Sequence, residues 1–224
     1  MGSPLLLAGR RAFASGFLLA GALAACSGPE ADGASRGRAP ARDPLRGIVL
    51  AEPIDKPDFR LTDTEGEPFD FRAETDGHVT LLFFGYTHCP DVCPVHMGGI
   101  AAVLRDMGWQ ARDQIRVVFV TTDPERDTPE RIRVWLDRFD ARFIGLTGSR
   151  AEIDSIQRAL NLPASVVQPL PENEARPEGA YLVGHAAQVI AFGADGPARV
   201  VYPFGTRQAD WAHDLPRLIG TAGG

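Results

Sequence analysis

Val79-Thr-Leu-Leu-Phe-Phe-Gly-Tyr-Thr-His-Cys-Pro-Asp-Val-Cys-Pro-Val-His-Met-Gly-Gly-Ile-Ala-Ala-Val-Leu104 decides how the chain is organised. The unbroken apolar run Val79 to Phe84, rich in β-branched and aromatic residues and closed by Gly85, predicts a strand buried on both faces of a sheet. Met97, Ile100, Leu104 and Met107 recur at helical spacing and predict a following helix. Between strand and helix lie Cys89 and Cys93, flanked by Pro90 and Pro94. A loop at the carboxyl end of a buried strand, running into a helix amino terminus, is where open α/β sheets place their chemistry. Pro94 suits a first helical turn, which puts Cys93 at or next to the N-cap. Free amides and the helix dipole there stabilise a thiolate, so Cys93 is expected to have a lowered pKa. Cys89, four residues earlier, is close enough to share a metal ion or a disulfide with it.

Upstream, Phe59 to Asp63 and Pro68 to Phe71 alternate apolar and polar residues around Asp63-Thr-Glu-Gly66, an N-terminal β-hairpin signal. Downstream, Ile115 to Val120 form a second buried strand ending at Thr121-Thr-Asp-Pro-Glu-Arg-Asp-Thr-Pro-Glu130. Thr128 and Pro129 announce a helix with Ile132, Trp135, Leu136 and Phe139 on its buried face. A short strand at Phe143 to Leu146 and a helix carrying Ile153, Ile156 and Leu160 follow. Residues 163 to 180 read as a long, polar, proline-rich loop. Tyr181 to Val183, Val189 to Phe192 and Arg199 to Tyr202 read as an inserted hairpin near the C-terminus. Trp211, Leu215 and Leu218 mark a last helix, which Pro216 should kink or shorten. This order argues for one α/β sandwich of the thioredoxin type, with a central, mostly parallel sheet.

The chain has 224 residues, 23 basic and 29 acidic, for a formal net charge of −6. Lys56 is the only lysine and the arginines are scattered, which excludes a nucleic-acid surface. Residues 1–25, with Arg10 and Arg11 before an uncharged stretch too short for a comfortable span, read as a targeting segment. It ends Leu23-Ala-Ala-Cys26, which resembles the lipobox of bacterial lipoproteins with Cys26 as the acylated residue; an ordinary signal peptide is the alternative. Residues 26–45, rich in Gly, Pro and Ala, read as a flexible tether, leaving 46–224 as the folded domain. The expected location is outside the cytoplasm, on a bacterial membrane held by a lipid anchor. Without Cys26, the cysteines reduce to one pair, Cys89 and Cys93. In an exported protein such a pair becomes a disulfide unless a reductant or a metal intervenes.

Two thiolates form a soft donor set that holds Cu(I), and an added imidazole allows Cu(II). Zinc in a structural site would want four ligands, and no second cysteine pair supplies them. Of five histidines, His88 adjoins Cys89 and should point away, and His96 either projects from the first turn of the helix as a donor or, the reading preferred here, is a solvated helix residue. His78 lies at the wrong end of its strand, and His213 falls in the last helix. His185, in an otherwise apolar strand, is either the third donor or a satisfied core histidine.

Phe84-Gly-Tyr-Thr-His-Cys-Pro-Asp-Val-Cys-Pro94, with Asp123-Pro-Glu-Arg-Asp-Thr-Pro129 downstream, resembles the Sco/SenC family of copper-binding cytochrome c oxidase assembly proteins. The resemblance implies a membrane-tethered thioredoxin fold that binds copper through Cys89, Cys93 and His185. It implies as partner the copper-bearing subunit of cytochrome c oxidase, with an upstream copper donor and a thiol reductant. Where the family reads Tyr-x-Val-Asp-His-Ser, this chain has Tyr181-Leu-Val-Gly184-His185-Ala186, so metal affinity or partner choice is expected to differ. Asp91, Asp123 and Asp127 are candidates for an acidic rim that docks the partner, although Asp127 or Thr128 could equally cap a helix. A copper chaperone is therefore the first expectation. A thiol–disulfide oxidoreductase using Cys89 and Cys93 is the alternative, with Cys93 as the lower-pKa thiol. A peroxidase comes third, lacking an assignable arginine.

Overall fold

The computed structural model describes residues 44–170 and 180–220. The expected leader 1–25, the acylation candidate Cys26 and the tether as far as residue 43 lie outside them. No helix among the described residues is long and apolar enough to cross a membrane.

The strand quoted first is β4 in chain order. Ahead of it come β1 (Ile48–Ile54), the expected hairpin β2 (Arg60–Asp63) and β3 (Pro68–Asp70), and a single-turn helix α1 (Phe71–Glu74). β4 (Val79–Gly85) leads to α2 (Val92–Asp106), the short α3 (Trp109–Asp113), β5 (Ile115–Thr121), α4 (Pro129–Leu136), β6 (Ile144–Thr147) and α5 (Arg150–Ala159). The chain continues with β7 (Val166–Pro169), β8 (Tyr181–Gly184), β9 (Val189–Phe192), β10 (Ala198–Tyr202) and α6 (Gln208–Gly220).

Eight strands form one sheet in the order β1-β10-β9-β4-β5-β6-β2-β3. All seven residues of β4 are buried, and the alternation of the strand explains why. Leu81 and Phe83 join a cluster with Met97 and Ile100 of α2, Trp135 of α4 and Trp211 and Leu215 of α6. Leu82 and Phe84 point the other way, toward Phe71 of α1 and Ile153 and Ile156 of α5. The sheet is thus covered on both sides, in the thioredoxin-like sandwich that the element order implies.

Three details depart from the sequence-based expectation. The sheet is mixed rather than mostly parallel: β4–β5 and β5–β6 pair in parallel, and the other neighbours pair antiparallel. An apolar run reports burial on two faces and is silent on direction. The stretch 163–180 opens with a strand, because the β-branched pair Val166-Val167 pairs with β8 in a separate two-stranded ribbon. The C-terminal hairpin is therefore β9–β10 alone, without Tyr181 to Val183. Of the two outcomes expected at Pro216, a kink or a shortened helix, the second is not what occurs: α6 runs on to Gly220. The buried residues Trp211, Leu215 and Leu218 hold the helix against the sheet despite the missing amide.

Candidate metal centre

The topology closes the sequence gap between the cysteines and His185. β9 runs antiparallel to β4 with Val189 opposite Phe83, so the segment entering β9 lies where β4 ends. His185 stands four residues before Val189 and arrives beside the loop carrying Cys89 and Cys93. Cys93 Sγ and His185 Nε2 are 3.5 Å apart across 92 positions of sequence. One donor atom from each of Cys89, Cys93 and His185 lies within 4.8 Å of the other two. The imidazole is fixed in place: its Nδ1 faces the Ala186 carbonyl at 2.9 Å, while the rings of Phe83 and Tyr86 meet it edge-on at 5.8 and 5.7 Å. With the proton on Nδ1, donating to that carbonyl, the Nε2 that otherwise donates to the sulfurs would offer its lone pair to a metal.

α2 begins at Val92, with Asp91 as an N-cap whose side chain makes no capping bond. Cys93 lies inside the first turn and is fully buried, whereas Cys89 on the loop is partly exposed. The expected ranking of the two thiols is consequently inverted. A hydrogen bond from the Cys93 thiol, with further bonds from His185 and from the amides of Cys93 and Asp91, outweighs burial and pulls Cys89 down to about 3. Burial first, then the adjacent Cys89, pushes Cys93 far above the ordinary thiol range. Desolvation overrides the helix dipole at Cys93, and the backbone amide of Cys93 points at Cys89 Sγ, 3.4 Å away. Gly85 leaves space for the pair, since a Cβ there would stand 2.8 Å from Cys93 Sγ.

The loop between β4 and α2 is held from below. Asp127 accepts from the Thr87 amide at 2.9 Å, the Thr87 hydroxyl at 2.6 Å and the Thr121 hydroxyl at 2.7 Å. Asp123 accepts from Tyr181 Oη at 2.7 Å and from Arg126 Nε, and the Arg126 guanidinium lies 3.4 Å from the centre of the Tyr181 ring. Both carboxylates are 0 % exposed, so neither forms the acidic docking rim expected of them. Of the three candidates only Asp91 reaches the surface. His88, Asp123 and Asp127 also approach one another within 4.8 Å, but the two carboxylates are engaged by the bonds just described. His88 points away from the thiols, with its Nε2 3.0 Å from Arg131 Nη2.

His96 differs from its sequence-based reading as well. Instead of being solvated, it is 4 % exposed and its Nε2 lies 2.8 Å from the carbonyl of Ala187. Burial holds it below the ordinary histidine range against the opposing Ala187 bond. A histidine three residues after Cys93 on the helix was the available signal; the chain that covers it comes from far downstream.

Gly184 and Ala186 flank the imidazole. A side chain at 184 would meet the amide of Gln168, whose Nε2 lies 2.7 Å from the Cβ position, and Ala186 is packed into the core at 4 % exposure. The space beside the His185 ring that a side chain at 184 would take is filled here by Gln168.

The SCO1/SenC family model matches residues 51–220. The chain belongs to the SCO1/SenC family. A mitochondrial SCO1 homolog of Mus musculus is 33% identical over 150 residues, covering 66% of this chain and 50% of that protein. The chain spans two thirds or less of the length of the curated relatives it matches first. Bradyrhizobium japonicum ScoI, solved with copper bound, is 34% identical with a TM-score of 0.61, covering 73% of this chain and 99% of that one. BsSco, described with a disulfide switch as a member of the Sco family of cytochrome c oxidase assembly proteins, has a TM-score of 0.55 at 19% identity. It covers 76% of this chain and 98% of its own, a likeness of fold alone. In this SCO1/SenC chain the donor set suits copper: two sulfurs and one imidazole converge in a site walled by Phe83 and Tyr86.

Proposed function

We propose that this SCO1/SenC protein carries copper as cargo to the copper-bearing subunit of cytochrome c oxidase, or matures that subunit's metal site. The observation that carries the reading is the convergence of Cys89, Cys93 and His185 on one point. Copper bound to a relative 34% identical over nearly its whole length supports the choice of metal. The protein catalyses no turnover of its own in this reading; it exchanges ligands. Cys89, held as a thiolate and partly exposed, is the sulfur a partner's thiolate reaches first, while buried Cys93 stays behind as the anchoring donor. His185 is the one ligand from a separate segment and steers preference between copper states. An exported domain with a lipid anchor at Cys26 completes the reading, with a copper donor and a thiol reductant acting upstream.

The test is copper binding by the reduced protein. Wild type is expected to hold one Cu(I) and, after oxidation, to show a sulfur-to-copper absorption band in the visible. His185→Ala should keep Cu(I) and lose most Cu(II) affinity. An identical Cu(II) spectrum in that variant would remove His185 from the site.

One observation favours a second reading, thiol–disulfide exchange on the cysteines of the oxidase subunit. A partly exposed low-pKa thiol beside a buried high-pKa one is the asymmetric pair such chemistry uses. Reductase activity that survives His185→Ala but vanishes in Cys89→Ser would favour it.

A further inference from the structure

The segment bearing His185 is tied to α2, the helix bearing Cys93. His96 stands three residues after Cys93, and its Nε2 reaches the carbonyl of Ala187, two residues after His185, at 2.8 Å. A carbonyl only accepts, so Nε2 carries the proton and donates it. The ring is confined by Phe83, whose centroid is 5.1 Å away, and by Phe204 at 5.8 Å. Phe83 also meets His185 edge-on at 5.8 Å, so a single aromatic ring spaces the two imidazoles. The far end of the same segment is held separately, where Arg126 Nη1 donates to the Tyr181 carbonyl at 3.1 Å. Between these two ties lie Leu182 to Ala186, and His185 is the donor-bearing residue among them.

We propose that His96 is a positioning residue that fixes the reach of His185 to the sulfurs, and thereby sets how strongly the site prefers Cu(II) over Cu(I). The proposal rests on the copper reading and deepens it. Cu(I) is satisfied by the two sulfurs and needs little of the imidazole, whereas Cu(II) needs all three donors. β8 is held by β7 as far as Gly184, so loosening the His96 tie frees the stretch from His185 to Ala187 beyond it and lets the imidazole shift from the sulfurs, which weakens Cu(II) selectively. An entropy cost of ordering the segment then falls on each Cu(II) binding event instead of on folding.

Two variants separate the bond from the packing. His96→Phe keeps a ring between Phe83 and Phe204 and removes the donor; His96→Gln keeps an N–H donor and removes the ring. His96→Phe should lower Cu(II) affinity about tenfold, the lower end of what outer partners of a metal ligand contribute, and leave Cu(I) affinity nearly unchanged. His96→Gln should restore much of the loss. A shared drop in melting temperature with no change in the Cu(II)-to-Cu(I) affinity ratio would overturn the proposal, since that is what packing alone produces. Two measurements need no metal. Nitrogen NMR of the metal-free wild type should find the His96 proton on Nε2; a proton on Nδ1 alone overturns the proposal even if His96→Phe fails to fold. Hydrogen exchange of the amides at 184–188 should quicken in metal-free His96→Phe, and equal rates would again sink it. If wild type holds no copper in either state, the copper reading fails, while these two measurements still decide whether His96 ties the segment.

Discussion

Cys89 and Cys93 are two residues of one type, four apart, that their surroundings make chemically unlike. Position along the helix points to Cys93 as the activated thiol, because that argument weighs the dipole and amides of the helix start and cannot weigh burial. Cys93 is 0 % exposed, and in that setting the penalty for a buried charge exceeds what the dipole returns. Cys89 stays at the loop surface and collects the hydrogen bonds. With its pKa at about 3 against an ordinary 9.0, Cys89 is a thiolate throughout the neutral range. Its alkylation by iodoacetamide should therefore be flat between about pH 5 and 8, where an ordinary thiol gains about tenfold per unit. The prediction concerns the shape of the profile and not its height, because a low-pKa thiolate is also a weaker nucleophile. Mass spectrometry of the metal-free, reduced protein should find Cys89 modified well before Cys93. A profile rising steeply with pH, or Cys93 modified first, would contradict the assignment.

Among the elements, β4 and β5 are the most legible in the sequence, since an uninterrupted apolar run has few other homes. α4 is legible at its start, where Thr128 accepts from the Arg131 amide and Pro129 opens the first turn. The direction of β9 is not legible, and the convergence of the three donors depends on it, because only an antiparallel β9 brings residue 185 to the end of β4. The pairing of β1 with β10 was equally hidden, as was the tie that holds the start of β1. That tie is Asp214 of α6, which is 0 % exposed. It accepts from the amides of Arg46 and Gly47 at 2.9 Å and from Tyr202 Oη at 2.9 Å. It also faces His213 Nδ1 at 2.6 Å. Burial would raise its pKa, but the contacts with His213, Arg46, Gly47 and Tyr202 together bring it below the ordinary value of 3.8. A depressed carboxylate contributes stability that is complete above its unfolded pKa and is lost as pH falls through the native one. Urea denaturation should show stability declining as the medium is acidified below about pH 4, with a shallower decline in Asp214→Asn. At neutral pH that variant should lose about 2 kcal/mol, since an amide cannot satisfy all the donors left around it. Equal pH slopes in the two proteins would show that Asp214 does not carry the effect.

At the scale of the whole molecule, the metal would join two parts of the chain, distant in sequence, that the folded sheet brings together. Cys89 and Cys93 belong to the β4–α2 loop, and His185 to the β8–β9 connection, which the sheet brings beside it. The three-donor set needs the folded chain, whereas the two cysteines, four residues apart, also meet Cu(I) in the unfolded one, so copper stabilises the native state by the excess of its affinity there. At free Cu(I) about a thousandfold above its dissociation constant, the gain is at most about 4 kcal/mol, less whatever affinity the unfolded pair retains. For a folded domain of this size that corresponds to a rise in melting temperature of at most about 10 °C. Cys93→Ser should abolish the rise, because it removes the buried donor on which the other two converge. His185→Ala should retain most of it with Cu(I) and little with Cu(II), since the imidazole matters chiefly to the oxidised ion. Melting curves of the reduced protein with and without copper, followed for wild type and both variants, check all three outcomes together. A rise of equal size in Cys93→Ser would mean that the ion binds elsewhere on the chain, and the convergence of three donors would then need another purpose.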